Sequence, residues 1–147
     1  MYGILPIIHS LLRWILTILL LATIIKSIHG VVTKRAFSNS DNKLSLYLMI
    51  SAHTQLVVGL LLYFVSPLVQ FGNMKDAQIR FFTVEHSTLM IIAIVFITLA
   101  RIRSKKAATD AAKFRMLMIF SLIALAIILL AVPWPYSPIS RPWFSPN

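Results

Sequence analysis

The sequence contains no cysteine among its 147 residues. This absence excludes disulfides, thiolate metal sites, iron–sulfur clusters and c-type haem attachment, all of which need cysteine. Charged residues are also scarce, at 12% of the chain, whereas soluble domains have about 25%. The chain therefore lacks the polar surface that would coat a water-soluble globule, and any bound metal would have histidine, methionine or oxygen ligands.

Acidic residues are the rarest charged type, with four Asp and Glu against 14 Lys and Arg and a formal net charge of +10. A charge of this size suggests nucleic-acid binding, but the basic residues lie in short loops between long apolar runs. Basic loops of this kind are typical of membrane proteins, in which they set the orientation. We therefore expect a lipid bilayer, and not nucleic acid, as the partner.

Long apolar runs make up most of the sequence, and 59% of its residues are hydrophobic. A helix needs about 20 mainly apolar residues to cross the hydrocarbon core of a bilayer. Four runs meet this length, at about residues 4–25, 44–65, 82–100 and 114–132. Because the connections are short, they favour an up-down-up-down bundle. The sequence predicts an all-α integral membrane protein, with residues 1–147 as a single four-helix domain.

The distribution of Lys and Arg predicts the orientation of this bundle. Ten of these residues lie in the loops after the first and third spans, and three lie in the second loop and the tail. Since Lys and Arg concentrate in cytoplasmic loops, we expect loops one and three in the cytoplasm and both termini on the other side. The tail, residues 133–147, is rich in proline and aromatic residues, and we expect it along the outer interface.

Within the predicted spans ionisable side chains are costly and are functional candidates, and five of them stand out. They are His9, Arg13, His53, Glu85 and His86. His9 and His86 lie roughly 6–8 Å below the same boundary at a rise of about 1.5 Å per residue. Their spans are diagonal in an up-down bundle, so the two imidazoles can meet across the core. This arrangement suits the two axial positions of a haem iron.

The other candidates have more than one interpretation. His53 is deeper, at roughly 16 Å by the same rise, so it is an alternate ligand or a hydrogen-bond partner for a cofactor edge or a quinone. Arg13 shares a helix face with His9 and would need Glu85 or a haem propionate as its counter-charge. Glu85 could instead orient a ligand histidine. Met90 would line the cofactor pocket or simply pack.

Four segments of the chain form a distinctive combination. They are His9-Ser10-Leu11-Leu12-Arg13-Trp14, His53-Thr54-Gln55 with Gly59 and Tyr63-Phe64, Glu85-His86 with Met90, and Pro133-Trp134-Pro135. Together they resemble a group of small bacterial four-span membrane proteins labelled cytochrome b. The resemblance implies b-type haem and electron transfer in the bacterial cytoplasmic membrane, with the five ionisable residues of the spans as its site positions.

Several functions fit these residues. The leading hypothesis is a haem b protein that carries electrons within the membrane as a respiratory or quinone-linked subunit, together with other redox subunits or as a homo-oligomer. A copper, zinc or iron site or transporter built from His9, His53 and His86 is the second, since imidazole suits all three metals. The third is a cofactor-free structural or assembly subunit whose histidines bridge helices. Proton relay through Glu85 is a fourth.

A stand-alone enzyme is a poorer interpretation. The sequence has no phosphate-binding loop, no nucleophile elbow and no paired-carboxylate motif. With so little chain outside the spans, a soluble substrate has few places to dock. We therefore favour an electron-transfer protein or subunit, whose turnover, if any, would oxidise or reduce a lipid-soluble carrier.

Overall fold

The computed structural model describes residues 3–132, and most of them lie in four long helices. Helix α1 spans Leu5–Thr33, α2 spans Asn39–Val65, α3 spans Ala77–Lys106 and α4 spans Asp110–Ala131. Each helix is long and apolar enough to cross a membrane, and this part of the chain contains no strand. The predicted all-α four-helix membrane bundle is confirmed. The predicted interfacial tail, residues 133–147, lies outside the described residues.

All four helices extend beyond the predicted apolar spans at the end that carries most of the basic residues. α1 continues past residue 25 to Thr33, and α2 begins at Asn39 and not at residue 44. Ser38 caps α2 and forms a capping box with Asp41, and the Thr109 side chain caps α4 in a similar way. Hydropathy marks the length that fits the hydrocarbon core, whereas the caps decide where each helix begins.

The four helices form a ring around a common core. α1 packs against α2 and α4, α2 packs against α1 and α3, and α3 packs most extensively on α4. α1 and α3 are therefore diagonal, as the predicted topology requires. Leu20, Leu48 and Ile97 are almost completely buried in the core, so each helix contributes its inward face to one continuous apolar centre.

Small polar residues are among the most deeply buried residues of the bundle. Ser27, Ser104 and Ser121 are nearly inaccessible, and Ser27 donates to a carbonyl one turn back on its own helix. Small residues let membrane helices approach closely, because association in lipid depends on packing and not on a hydrophobic driving force. Large aliphatic side chains point outward instead: Ile18 is 63% exposed and Leu130 is 78% exposed. The outer surface is therefore suited to lipid.

A π-helical turn, Phe81–Glu85, lies near the start of α3. It is closed by the His86 N–H, which donates to the Phe81 carbonyl five residues earlier. The extra residue of a π-turn rotates the rest of the helix relative to its start, and such turns are frequent at functional sites. Glu85 is exposed here, whereas His86 is half-buried. The turn therefore affects which of these two neighbours faces the bundle.

Candidate functional site

A cavity of about 180 Å³ lies in the half of the bundle that is farther from the basic loops. Residues from all four helices line it. Its wall includes the polar and sulfur-bearing side chains of His9, Arg13, Gln55, Tyr63, His86 and Met90. The structure thus brings together four of the predicted site residues, two from α1 and two from α3, across the diagonal of the bundle.

His9 lies against a face of α2 that a glycine leaves open. A Cβ atom placed on Gly59 would lie 3.4 Å from His9 Cε1, so the imidazole packs directly over the α2 backbone. One turn earlier on α2, Gln55 Nε2 donates to the His9 carbonyl oxygen at 3.0 Å. These two contacts hold both the ring and the backbone of His9 against α2.

His86 is oriented by the last turn of α4. Its Nδ1 donates to the Ala131 carbonyl oxygen at 2.7 Å, and a carbonyl in a last turn has no partner within its own helix. Because a carbonyl only accepts, Nδ1 carries the proton, and the lone pair of the neutral ring is on Nε2. Histidines that ligate a metal through one nitrogen commonly donate from the other in this way. His86 therefore has the tautomer of a ligand histidine.

Arg13 lines the same cavity one helical turn from His9. Its guanidinium carbon lies 5.5 Å from the centroid of the Trp14 ring. Glu85, which we considered as its counter-charge, does not line the cavity. Instead, Glu85 Oε1 accepts from Arg80 Nε at 3.0 Å, and both side chains are about half exposed. The structure therefore places Glu85 at the surface. Among the described residues, the cavity wall has the basic side chains of His9, Arg13 and His86 and no carboxylate.

His53 is separate from this cavity. Its ring is exposed on the outer side of α2, and its Nε2 lies 2.9 Å from Thr98 Oγ1 on α3. Among residues 3–132, no three His, Cys, Asp or Glu side chains come together as a group that could hold a metal. The sequence places His53 deeper than His9 and His86, which agrees with its position outside the cavity. Its hydrogen bond to Thr98 connects α2 with α3.

The sequence pattern alone does not single out Gln55 or Tyr63. Gln55 is only 8% exposed, and its Oε1 has no hydrogen-bond partner within the part of the chain that the structure describes. Tyr63 donates its hydroxyl to the Thr83 carbonyl at 2.9 Å, within the π-turn. The sequence signal that could have identified Gln55 is a polar amide side chain within an otherwise apolar run of α2. Tyr63 offers no such signal, because tyrosine is common near the ends of spans.

No family model, curated protein or solved structure matches this chain. Its class is therefore defined by its fold and its cavity. Among the described residues, these features define a small multi-pass membrane protein with a cavity that two histidines of diagonal helices line.

Proposed function

We propose that this protein carries electrons within the membrane by holding a b-type haem between His9 and His86. The observation that carries this proposal is that histidines of two diagonal helices line one cavity. Histidine is a common axial ligand of haem iron, and the absence of cysteine leaves imidazole as the strongest iron ligand in the chain.

The residues around the two histidines fit a haem. The hydrogen bond to Ala131 gives His86 the tautomer with its lone pair on Nε2. Arg13 on the same wall is a cation that could bind a propionate in a bidentate geometry, and Met90 adds to an apolar lining of the kind that tunes the potential of a buried iron. A bound haem would supply a one-electron redox centre at this depth.

The size of the cavity limits how much of a macrocycle the protein encloses. A cavity of about 150 Å³ holds one benzene ring, and this cavity measures about 180 Å³ and is partly open. The enclosed space therefore has room for about one six-membered aromatic ring. The histidines and the arginine suit a haem, but a cavity of this volume would enclose only part of the porphyrin.

The same volume and one polar atom favour a second candidate, the head group of a quinol. Gln55 Oε1 is a buried acceptor on the cavity wall without a partner among the described residues. Leaving such a group unsatisfied costs about 1–3 kcal/mol, and a hydroxyl of a bound quinol would remove that cost by donating to it. Both candidates carry electrons, but a quinol also carries protons.

Reduced-minus-oxidised absorption spectra test the haem proposal. After haem-supplemented expression and purification, we expect the α band of a b-type haem in the parent protein and its loss in His9→Ala and His86→Ala. His53→Ala is the matched control, because His53 lies outside the cavity, and it should keep the band. A parent protein without the band would overturn the proposal, as would a loss of the band in His53→Ala alone.

Calorimetric titration with a short-chain quinol tests the second candidate. Gln55→Leu removes the acceptor at similar volume, and we expect binding to weaken about tenfold, the equivalent of one hydrogen bond to a buried group. Gln70→Leu is the control, because Gln70 is exposed in the loop after α2 and should bind as the parent does. Equal affinities of Gln55→Leu and the parent would exclude this role for Gln55.

The orientation that we propose places loops one and three in the cytoplasm of a bacterium, with the cavity towards the outer side. It is supported by the ten-to-three distribution of Lys and Arg between the two ends of the bundle, which follows the positive-inside rule. Since the described helices are joined by short loops, a carrier of this design would exchange electrons with other membrane redox subunits or with a second copy of itself.

A further inference from the structure

A second cavity, of about 290 Å³, lies at the opposite end of the bundle, between the start of α2 and the junction of α3 and α4. We call this end the basic end. The polar wall of the cavity includes Ser38, Asn42, Ser45, Ser104, Lys105 and Lys113. None of the residues that line it is acidic. We propose that this cavity binds a phosphate group, carried either by an anionic lipid head group or by a free phosphate.

Ser104 contributes a donor that the fold leaves unused. It is 2% exposed, and its Oγ has no hydrogen-bond partner among residues 3–132. Ser27 on α1 and Thr98 on α3 each donate to the carbonyl one turn back, as hydroxyls within helices usually do. Ser51 and Ser121 are also buried without a partner among the described residues, but of the three only Ser104 lines this cavity. Because Ser104 lines the cavity, a small rotation of its side chain would let a phosphate oxygen accept this O–H.

Two lysines give the cavity its positive charge. Lys113 Nζ donates to the carbonyl oxygens of Ser104 and Lys105, each at 3.3 Å. These bonds hold the ammonium group of α4 beside the last turn of α3, and its third proton is still available to a ligand. Lys105 itself is exposed at the rim. A phosphate here would meet cations from two helices.

A buried arginine lies behind the wall of the cavity. Arg101 is 7% exposed, and its Nη1 donates to Ser45 Oγ at 2.7 Å and to the Asn42 carbonyl at 2.9 Å. Within the described chain it has no ion pair with a carboxylate, because Asp41 is paired with Arg35 instead. A buried cation normally needs a counter-charge, and a phosphate in the adjacent cavity would reduce this imbalance.

The chemistry of the wall favours phosphate over other anions. A phosphate presents several strong acceptor oxygens, which match a hydroxyl and two ammonium groups that come from different helices. Basic pockets between membrane helices at the cytoplasmic side bind lipid head groups of this type. The cavity at the basic end therefore combines a polar lining, a buried unused donor and an excess of positive charge.

Native mass spectrometry and thermal unfolding of the purified full-length protein test this inference. In the lipid arm, the protein is supplied with phosphatidylglycerol or with zwitterionic phosphatidylcholine. In the soluble arm, it receives inorganic phosphate or chloride at matched ionic strength, since salt screens surface charge. Retention of phosphatidylglycerol over phosphatidylcholine, with a higher unfolding temperature, identifies a lipid head group. Stabilisation by inorganic phosphate but not by chloride identifies a free phosphate.

Two pairs of variants connect the binding to the cavity. Ser104→Ala should weaken binding about tenfold, as expected for one hydrogen bond to a charged ligand, whereas Ser121→Ala should not change it. Ser121 is the matched control, because it is also a buried serine whose Oγ has no described partner but lies outside the cavity. Lys105→Gln should weaken binding more than Lys106→Gln, since only Lys105 lines the cavity.

Two results would contradict phosphate binding at the basic end. The proposal is overturned if neither phosphatidylglycerol nor inorganic phosphate binds better than its control, which is zwitterionic phosphatidylcholine for the lipid and chloride for the phosphate. It is also overturned if Ser104→Ala binds as tightly as Ser121→Ala while both variants keep the unfolding temperature of the parent without ligand. Because no residue of the histidine cavity is changed, these outcomes are independent of the electron-transfer proposal.

Discussion

The helices can pack closely at the basic end because residue 30 of α1 is a glycine and has no side chain. A Cβ atom placed there would lie 2.5 Å from Cγ and Cδ2 of Phe114 on α4. The Phe114 ring is 1% exposed and has little freedom to retreat. The Phe37 ring lies against it with a centroid distance of 5.1 Å, and the Arg35 guanidinium lies 4.5 Å from its centroid. Gly30→Ala should therefore displace either α1 or this aromatic cluster.

The expected magnitude follows from two opposing effects. Adding a methyl group to a well-packed contact costs about 1–3 kcal/mol. Replacing glycine by alanine within a helix returns about 0.5–1 kcal/mol through backbone entropy. We expect Gly30→Ala to lower the free energy of unfolding by about 1–2 kcal/mol, since the 2.5 Å approach to buried ring atoms places its cost in the upper part of the packing range.

Reversible unfolding in mixed detergent micelles, followed by helical circular dichroism, measures this change. Gly59→Ala is the matched control, because its Cβ would make an ordinary contact of 3.4 Å with His9, and its stability should equal or exceed that of the parent. In Gly30→Ala/Phe114→Leu, the smaller side chain makes room for the methyl group, so the two changes should couple favourably by at least about 0.5 kcal/mol. A Gly30→Ala protein as stable as Gly59→Ala, or a double variant with strictly additive effects, would refute the packing argument.

Three further predictions concern the rest of the bundle. Asp41→Asn removes a carboxylate that accepts from Arg35 at 2.7 and 2.8 Å. We expect it to lower the unfolding free energy in the same assay by about 3 kcal/mol, the lower end of the range for breaking a buried ion pair, because the Arg35 side chain is partly exposed. Tyr63→Phe, which loses a hydrogen bond to the π-turn, should cost about 0.5–1.5 kcal/mol. Since the chain has no cysteine, Lys75→Cys in intact bacteria should react with a membrane-impermeant maleimide, whereas Lys43→Cys should not; the reverse labelling would contradict our orientation.

The depth of each candidate residue was accessible from its position along the chain. His9 and His86 were expected at one level near the same end of the bundle, and both line one cavity. Their depth follows from a constant rise per residue, so it needs no knowledge of other helices. The direction of each ring does need that knowledge. His86 is oriented by a carbonyl of α4 that lies 45 residues away in the sequence.

Neighbouring residues show the same division between depth and direction. Glu85 and His86 are adjacent in sequence, but Glu85 pairs with Arg80 at the surface while His86 lines the cavity. A projection that assumes a regular α-helix gives the wrong direction for His86 relative to the start of α3, because it does not include the π-turn that precedes this residue. The buried role of Gln55 was also hidden, because it depends on the His9 backbone lying within hydrogen-bond reach on another helix.

Hydropathy along the sequence was enough to predict the class of the protein, four helices long and apolar enough to span a membrane, together with their order and an approximate depth for His9, His53 and His86. This was possible because hydrophobicity and rise per residue are local properties that add along the chain. The packing of the helices was needed to establish which side chains share a cavity, that His53 faces outward, and that Ser104, Lys105 and Lys113 line a second cavity. These features depend on how each helix is rotated and how closely it approaches its neighbours, and both are set by contacts between residues that are far apart in sequence.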